Sequence, residues 1–486
     1  MLFTSGLFLF LFLPVTVIGF FLIARFARPA FAASWLCAMS LLFYGFWVPA
    51  FLGLLVGSIL FNFFGGIWIA RHACSKTGKA ITTLWIAANL MLLAFFKYYN
   101  FFIDNLAAAG VHLPVLNVVL PIGISFFTFT QIAFLADAYK GKVRDARLVH
   151  YGLFVTYFPH LIAGPILHHS EMMPQFAEPR TYRPDLVKFA LGAAFLLVGL
   201  AKKVLVADSV SGIADHAFNA AAHGQVGPLH AWEGAIAYAL QIYFDFSGYS
   251  DMAVGVSLLL NVQLPFNFAS PYRATNIIEF WRRWHMTLSR FLRDYLYIGL
   301  GGNRHGQVRR YINLAATMVL GGLWHGAAWT FVIWGALHGA YLIINHGWRW
   351  LRERLGLSLI SGAPARALGW AITMLGIVIA WVFFRATTID GALAMLHAMA
   401  GATRQVDQLA GREQAWLLLT ALTAFVVLLP NSQTLILDRL KPLIERRASA
   451  APWPIWAGLG AWSMAVCWLA LVAASRENSA FIYFNF

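Results

Sequence analysis

The chain has 486 residues, of which 60% are hydrophobic and only 11% charged, with 41 Phe and 19 Trp. That composition excludes an ordinary soluble globular protein and points to an integral membrane protein. The formal charge of +15 does not indicate nucleic acid, because the basic residues fall in short loops beside apolar runs, where they orient the chain and meet membrane lipid headgroups.

The first apolar run, 6–24, has no basic residue before it and meets its first charges at Arg25 and Arg28. It therefore reads as a retained helix with its C-terminal end in the cytoplasm, not as a signal peptide. Runs of about twenty residues, the length needed to cross a bilayer, follow at 31–48, 50–70, 81–99, 116–136, 186–206, 232–260, 311–327, 329–346, 367–384, 415–430 and 453–474. The expected fold is all-α: a polytopic membrane protein with roughly 11–12 transmembrane helices and additional re-entrant or interfacial helices around a central funnel. We read it as a single membrane domain, 1–486, with a catalytic core at approximately 116–346.

The loops assigned to the cytoplasm, 71–80, 137–185, 261–310, 347–366 and 431–452, are the basic ones, including Lys140, Lys142, Arg144 and Arg147. The outward loops 100–115 and 207–231 hold Asp104, Asp208 and Asp215, as the positive-inside rule requires. The pair 311–346 is short for two full spans, so one or both are expected to be tilted or re-entrant.

Between the spans, Tyr151 to Ile166 is apolar but interrupted by Pro159, Gly164 and Pro165. Irregular backbone at membrane depth must be buried in protein or line a cavity, which is why a funnel is expected. Further on, Trp281, Trp284, Leu288, Phe291, Leu292 and Tyr295 fall within an arc of roughly 100° on a helical wheel, opposite Arg282, Arg283, Arg290, Arg293 and Asp294. Segment 281–295 thus predicts a basic amphipathic helix at the cytoplasmic interface, with His285 directed inward. Its arginines suit lipid phosphate or, alternatively, a polyanionic donor.

The histidines are the candidates for chemistry, because imidazole exchanges protons near neutral pH. From helix geometry alone His285 favours a packing role. His325 lies among Gly321, Gly322 and Gly326, with Trp324 and Trp329 available as walls, and reads equally as packing or functional. His338 could share its cavity but receives no role. His168 and His169 are expected in a cytoplasmic loop. His216, His223 and His230 recur every seven residues, but Gly224, Gly227 and Pro228 break any helix that would align them, so no metal site is expected there. Cys37, Cys74 and Cys467 are too dispersed for a disulfide frame or a metal cage.

Several segments together resemble the membrane-bound O-acyltransferase family, in its alginate O-acetyltransferase subunit I branch. They are Pro121-Ile-Gly-Ile-Ser-Phe-Phe-Thr-Phe, Phe158-Pro-His-Leu-Ile-Ala-Gly-Pro-Ile, Tyr243-Phe-Asp-Phe-Ser-Gly-Tyr-Ser-Asp-Met, Phe280-Trp-Arg-Arg-Trp-His-Met-Thr-Leu-Ser-Arg-Phe-Leu, Leu300-Gly-Gly-Asn-Arg and Gly321-Gly-Leu-Trp-His-Gly. The likeness runs to the closing segment 481–486. It departs at His160, where Gln is frequent, and at His305, where Lys is common.

The resemblance implies His325 as the catalytic residue and His285 as its companion. It implies an acetyl donor, acetyl-CoA, that enters from the cytoplasm without being permanently bound, with Arg282, Arg283, Trp281 and Trp324 as donor-binding candidates. A neutral His325 would accept the acceptor hydroxyl's proton or carry the acyl group, while His285 would orient the acyl group or stabilise the oxyanion. The expected partners are a periplasmic SGNH-type serine protein and an exopolysaccharide such as alginate or cellulose, with the chain in the bacterial inner membrane. Two alternatives stand beside this reading: D-alanyl or other acyl transfer from a carrier protein, and a histidine-lined transporter or proton relay.

Overall fold

The computed structural model describes the whole chain except residues 117, 144–146, 163, 357–361, 406–410, 451–452, 476–480 and 483–486, together with the side chains of 449, 450, 456 and 475. Arg144 of the basic loop, Ala163 of the 151–166 segment and the last four residues of the closing segment therefore lie outside the described residues. Every regular element among the described residues is helical.

Six helical stretches are long and apolar enough to cross a membrane: Phe8–Phe26, Pro49–Arg71, Lys76–Ala108, Leu186–Ala222, Ala363–Arg385 and Trp453–Ala474. The remaining expected spans are helical too. Pro228–Leu259 is long but not apolar enough throughout. Pro29–Gly45 and Glu413–Leu428 are apolar but brief, whereas Gly306–His325 and Trp329–Arg354 are long enough but interrupted by polar residues. The expected span 116–136 becomes helix only at Ile124–Tyr139. Its start is delayed because Pro121 precedes Gly123, whose φ of 71° is a left-handed conformation that ends rather than begins a regular turn.

The chain divides into two compact units. The first comprises Met1–Ala201, Gly248–Phe266 and Leu435–Asn485. Some of its buried polar side chains pair across helices, as an apolar surrounding favours. Asn89 Nδ2 donates to Asn62 Oδ1 at 2.7 Å and Asn62 Nδ2 returns the bond at 3.0 Å, while Gln131 Nε2 donates to Ser58 Oγ at 2.9 Å. Two backbones meet where side chains are absent: a Cβ on Gly192 would lie 2.7 Å from the Gly255 carbonyl oxygen, and one on Gly255 would lie 2.6 Å from that of Gly192.

Segment 151–166 belongs to this unit. The helix Leu148–Thr156 stops ahead of Pro159, and every described residue from Tyr151 to Ile166 is buried. His169, expected in a loop, is also buried, with its Nδ1 3.4 Å from Asp137 Oδ2. A nearby carboxylate and the ring of Phe134, 5.8 Å away, make an interior position favourable for it.

The second unit comprises Lys202–Ser247 and Asn267–Thr434. Residues 208–222, expected within an outward loop, are instead the helix Asp208–Ala222. The reason lies just before it, where Lys203 Nζ sits 2.7 Å from Asp245 and 2.9 Å from Asp208. Two carboxylates compensate one buried ammonium and fix the chain there. The short helix Ile389–Met399, unanticipated from sequence, starts at Thr388, whose Oγ1 accepts from Gly391 N at 3.1 Å.

Candidate active site

The segment 281–295, expected as one amphipathic helix, is broken at Trp284 and His285. Asn276 caps the first piece, Ile277–Arg283, by accepting from Glu279 N at 3.0 Å. Glu279 in turn accepts from Thr275 N at 2.9 Å and Thr275 Oγ1 at 3.0 Å, tying the residue before the cap to the helix. Trp284 is then extended, and His285 takes φ 41° and ψ 54°. A second piece, Met286–Phe291, follows.

The cause of the break is residue 267–269 backbone that the wheel could not anticipate. Ala269 N donates to Arg283 O and Met286 N donates to Asn267 O, both at 3.0 Å, so groups that a straight helix would use internally are taken by another segment. A left-handed conformation at a non-glycine residue costs about 1–2 kcal/mol. It persists only where surrounding bonds enforce it. The wheel's inward face survives the break: Trp281, Trp284, Leu288, Phe291 and Leu292 are buried, while Arg282 is exposed.

His285 is 0% exposed. Its Nδ1 lies 3.2 Å from Asn267 Oδ1, which also accepts Thr287 Oγ1 at 2.7 Å and Thr287 N at 3.4 Å. A backbone N–H only donates, so the Asn267 atom is the oxygen and His285 Nδ1 carries the proton. The lone pair of the neutral ring is then on Nε2. Phe246 meets the imidazole edge-on with centroids 4.7 Å apart.

His325 is the last residue of Gly306–His325, and Trp329–Arg354 returns after three residues. The two helices are drawn together by missing side chains. A Cβ on Gly322 would lie 2.2 Å from Phe331 O, and one on Gly335 2.4 Å from Met318 O. Such close backbone approach needs glycine. The hairpin holds His325, 3% exposed, among Trp324, Trp334 and Phe384, with centroids 4.9, 5.1 and 5.1 Å away. Trp329, expected as a wall, is 52% exposed; its place is taken by Trp334, one turn and a half further along the same helix.

An aromatic layer connects the two candidate histidines. Trp284, beside His285, meets Trp381 at 4.9 Å; Trp381 stacks on Trp334 at 6.0 Å; Trp334 meets His325 at 5.1 Å. A third histidine belongs to the layer. His338, 0% exposed, meets Trp334 at 4.8 Å, and its Nδ1 accepts from Trp281 Nε1 at 3.3 Å. Sequence reasoning left it without a role, and the four-residue spacing from Trp334 was the available signal.

Arg282 and Arg283 line a cavity of about 1060 Å³. Arg349 and Arg352 at the end of the returning helix and Arg366 near the start of Ala363–Arg385 line it too, with Glu279 the lone carboxylate among its lining residues. Arg283 pairs with Glu279 at 2.7 Å. Four guanidinium groups then lack that partner, and the cavity is electropositive and suited to a polyanion. Trp281 and Trp324, the other two donor-binding candidates, meet His338 and His325 respectively.

His216 and His230 do come together, contrary to the expectation from their broken spacing. The turn between Asp208–Ala222 and the helix beginning at Pro228 folds one onto the other, with Nδ1 and Nε2 3.0 Å apart. His223 instead bonds its own helix at Asn219 O, 2.8 Å away. Among the described residues no group of three or more histidines, cysteines or carboxylates is placed to hold a metal ion.

Comparison with known proteins agrees with this architecture. The chain is 42% identical over 428 residues to the peptidoglycan O-acetyltransferase of Helicobacter pylori, covering 82% of this chain and 80% of that one. It is 44% identical over 409 residues to a probable alginate O-acetylase of Azotobacter vinelandii, covering 82% and 78%. It is also similar, at 26% identity over 284 residues, to the teichoic acid D-alanyltransferase of Streptococcus thermophilus, covering 54% and 68%. The sequence model of the membrane-bound O-acyltransferase family matches residues 71–384, a span that contains both candidate histidines and the aromatic layer between them. The chain is a multi-pass membrane acyltransferase and belongs to the membrane-bound O-acyltransferase family.

Proposed function

We propose that this acyltransferase moves acetyl groups from cytoplasmic acetyl-CoA, across the inner membrane, for O-acetylation of a cell-surface or secreted polysaccharide, with His325 as the reacting histidine. The observation that carries the reading is the position of His325, buried at the end of a glycine-tightened helix between Trp334 and Phe384, within the family-matched region. Relatives at 42% and 44% identity over 82% of the chain are named for O-acetylation of peptidoglycan and alginate. The D-alanyl-transferring relative is more distant, at 26% over 54%, which favours acetyl over alanyl.

In this reading the acceptor hydroxyl gives its proton to His325 as its oxygen bonds to the acetyl carbonyl carbon. The carbon–sulfur bond breaks and the proton leaves with the thiol. General-base assistance of this kind contributes typically about 10²–10⁴-fold. His285 would face the reacting carbonyl or orient the acyl group, and a second role for His325, as transient acyl carrier, uses the same nitrogen chemistry. The donor's phosphates would occupy the cavity of Arg282 and Arg283. The immediate acceptor would be a serine of a periplasmic SGNH-type partner or the polysaccharide itself.

The test is His325→Ala in membranes supplied with acetyl-CoA carrying a labelled acetyl group, with protein abundance measured in parallel. Loss of labelled acceptor at unchanged abundance supports the reading; wild-type labelling overturns it. Substituting an acyl carrier protein thioester for acetyl-CoA separates the two donor classes.

A further inference from the structure

We infer that His338 is a positioning residue of the acyl-transfer site, one that braces Trp281, next to the two arginines Arg282 and Arg283 of the cavity, and Trp334 against His325. The inference rests on reading His325 as the reacting histidine. It goes beyond that reading because it gives a third imidazole a defined task.

His338 is fully enclosed, with Phe280, Trp281, Trp334, Tyr341 and Trp381 around it at centroid distances of 4.8 to 6.3 Å. A phenylalanine or leucine would fill such a site without polar atoms. The imidazole leaves Nε2 buried with no hydrogen-bond partner among the described residues, which is unfavourable. The compensation is at the other nitrogen. Trp281 Nε1 can only donate, so Nδ1 must accept, and the neutral ring is fixed with its proton on Nε2.

Trp281 belongs to a helix of only seven residues, Ile277–Arg283. That helix is too short to hold its own direction, and its next two residues, Arg282 and Arg283, line the cavity. Fixing the indole therefore steadies the short helix from which Arg282 and Arg283 reach the cavity. On its other side the same imidazole meets Trp334, whose ring is shared with His325. One side chain thus braces both the donor end and the reacting end of the site. Loss of the brace is expected to raise the KM for acetyl-CoA and to lower kcat.

The experiment uses the full-length protein in lipid nanodiscs and follows CoA release from acetyl-CoA for His338→Phe, His338→Asn, Trp281→Phe and the Trp281→Phe/His338→Phe double variant. Removing one buried hydrogen bond is expected to lower kcat/KM roughly tenfold in His338→Phe. His338→Asn, whose side-chain oxygen reaches close to the Nδ1 position, is expected to recover most of that loss. Trp281→Phe should fall as far as His338→Phe, and the double variant no further, because the two residues act as one unit. Wild-type kcat/KM in His338→Phe, no recovery in His338→Asn, or multiplied losses in the double variant would overturn the inference. Where His338→Phe does not fold, the comparison of His338→Asn with Trp281→Phe decides: the first near wild type and the second reduced supports it, and the reverse overturns it. An active His325→Ala overturns the underlying reading as well, whereas an inactive His325→Ala beside a fully active His338→Phe overturns this inference alone.

Discussion

His285 Nδ1 lies 3.2 Å from Asn267 Oδ1, and the same oxygen holds the hydroxyl and backbone N–H of Thr287. One carboxamide therefore sets the tautomer of a buried imidazole and pins the turn that carries it. The bond connects residues 18 positions apart, and beside the backbone bonds from 267–269 that break the helix it holds a histidine at the corner of that break.

Asn267→Leu should release both His285 and Thr287. Three buried donors, His285 Nδ1, Thr287 Oγ1 and Thr287 N, lose their acceptor, at about 1–3 kcal/mol for each group left unmet. The expected outcome is a lower melting temperature together with reduced transfer activity. Asn267→Asp, which keeps the acceptor oxygen, should retain more of both; thermal denaturation in detergent and labelled-acetyl transfer check the two quantities.

His285→Gly and His285→Ala separate strain from chemistry. Both remove the imidazole, so both should lose transfer activity. Only glycine removes the strain of φ 41°, so His285→Gly should be the more stable of the two by roughly 1 kcal/mol. Equal melting temperatures would show that the backbone relaxes once the ring is gone.

Gly335→Ala tests the hairpin that presents His325. Its new Cβ would lie 2.4 Å from Met318 O and 2.9 Å from Val319 Cα, and both obstacles are backbone. Overpacking of this kind costs typically about 1–3 kcal/mol. The expected result is a destabilised protein whose remaining folded fraction transfers acetyl slowly, because Trp334 precedes Gly335 and packs on His325. Gly347→Ala, on the same helix but with nothing within 4 Å of its added Cβ, serves as the control and should match wild type.

Arg352→Ala and Arg366→Ala test the cavity. Neither residue was a donor-binding candidate by sequence, yet both line the same space as Arg282 and Arg283. Each should raise the KM for acetyl-CoA several-fold, with kcat little changed, since a phosphate contact contributes mainly to ground-state binding. The difference from wild type should shrink at high salt as the charges are screened. Unchanged KM values in both variants would place the donor elsewhere.

Much of the scaffold was legible in the sequence. Apolar runs predicted Phe8–Phe26, Pro49–Arg71 and Ala363–Arg385 closely, and of the wheel's apolar arc through 281–295 all but Tyr295 are buried. What failed was local geometry imposed from outside the segment. The helix break at His285 comes from Asn267, and the helix Asp208–Ala222 in place of a loop accompanies the Lys203 contacts with Asp208 and Asp245.

The sequence by itself determined that this chain is a polytopic all-α membrane protein, that its inward helix faces are aromatic and that His285 and His325 are its candidate histidines. Composition and short-range periodicity carry that information because burial in lipid or protein is selected residue by residue along each helix. Only the tertiary structure decided which nitrogen of His285 holds its proton, that Trp334 takes the wall expected of Trp329, that His338 joins the aromatic layer through Trp281, 57 positions away, and that five arginines from three helices share one cavity. Those facts are contacts between distant residues, and they exist only once close glycine-mediated packing has brought the helices together.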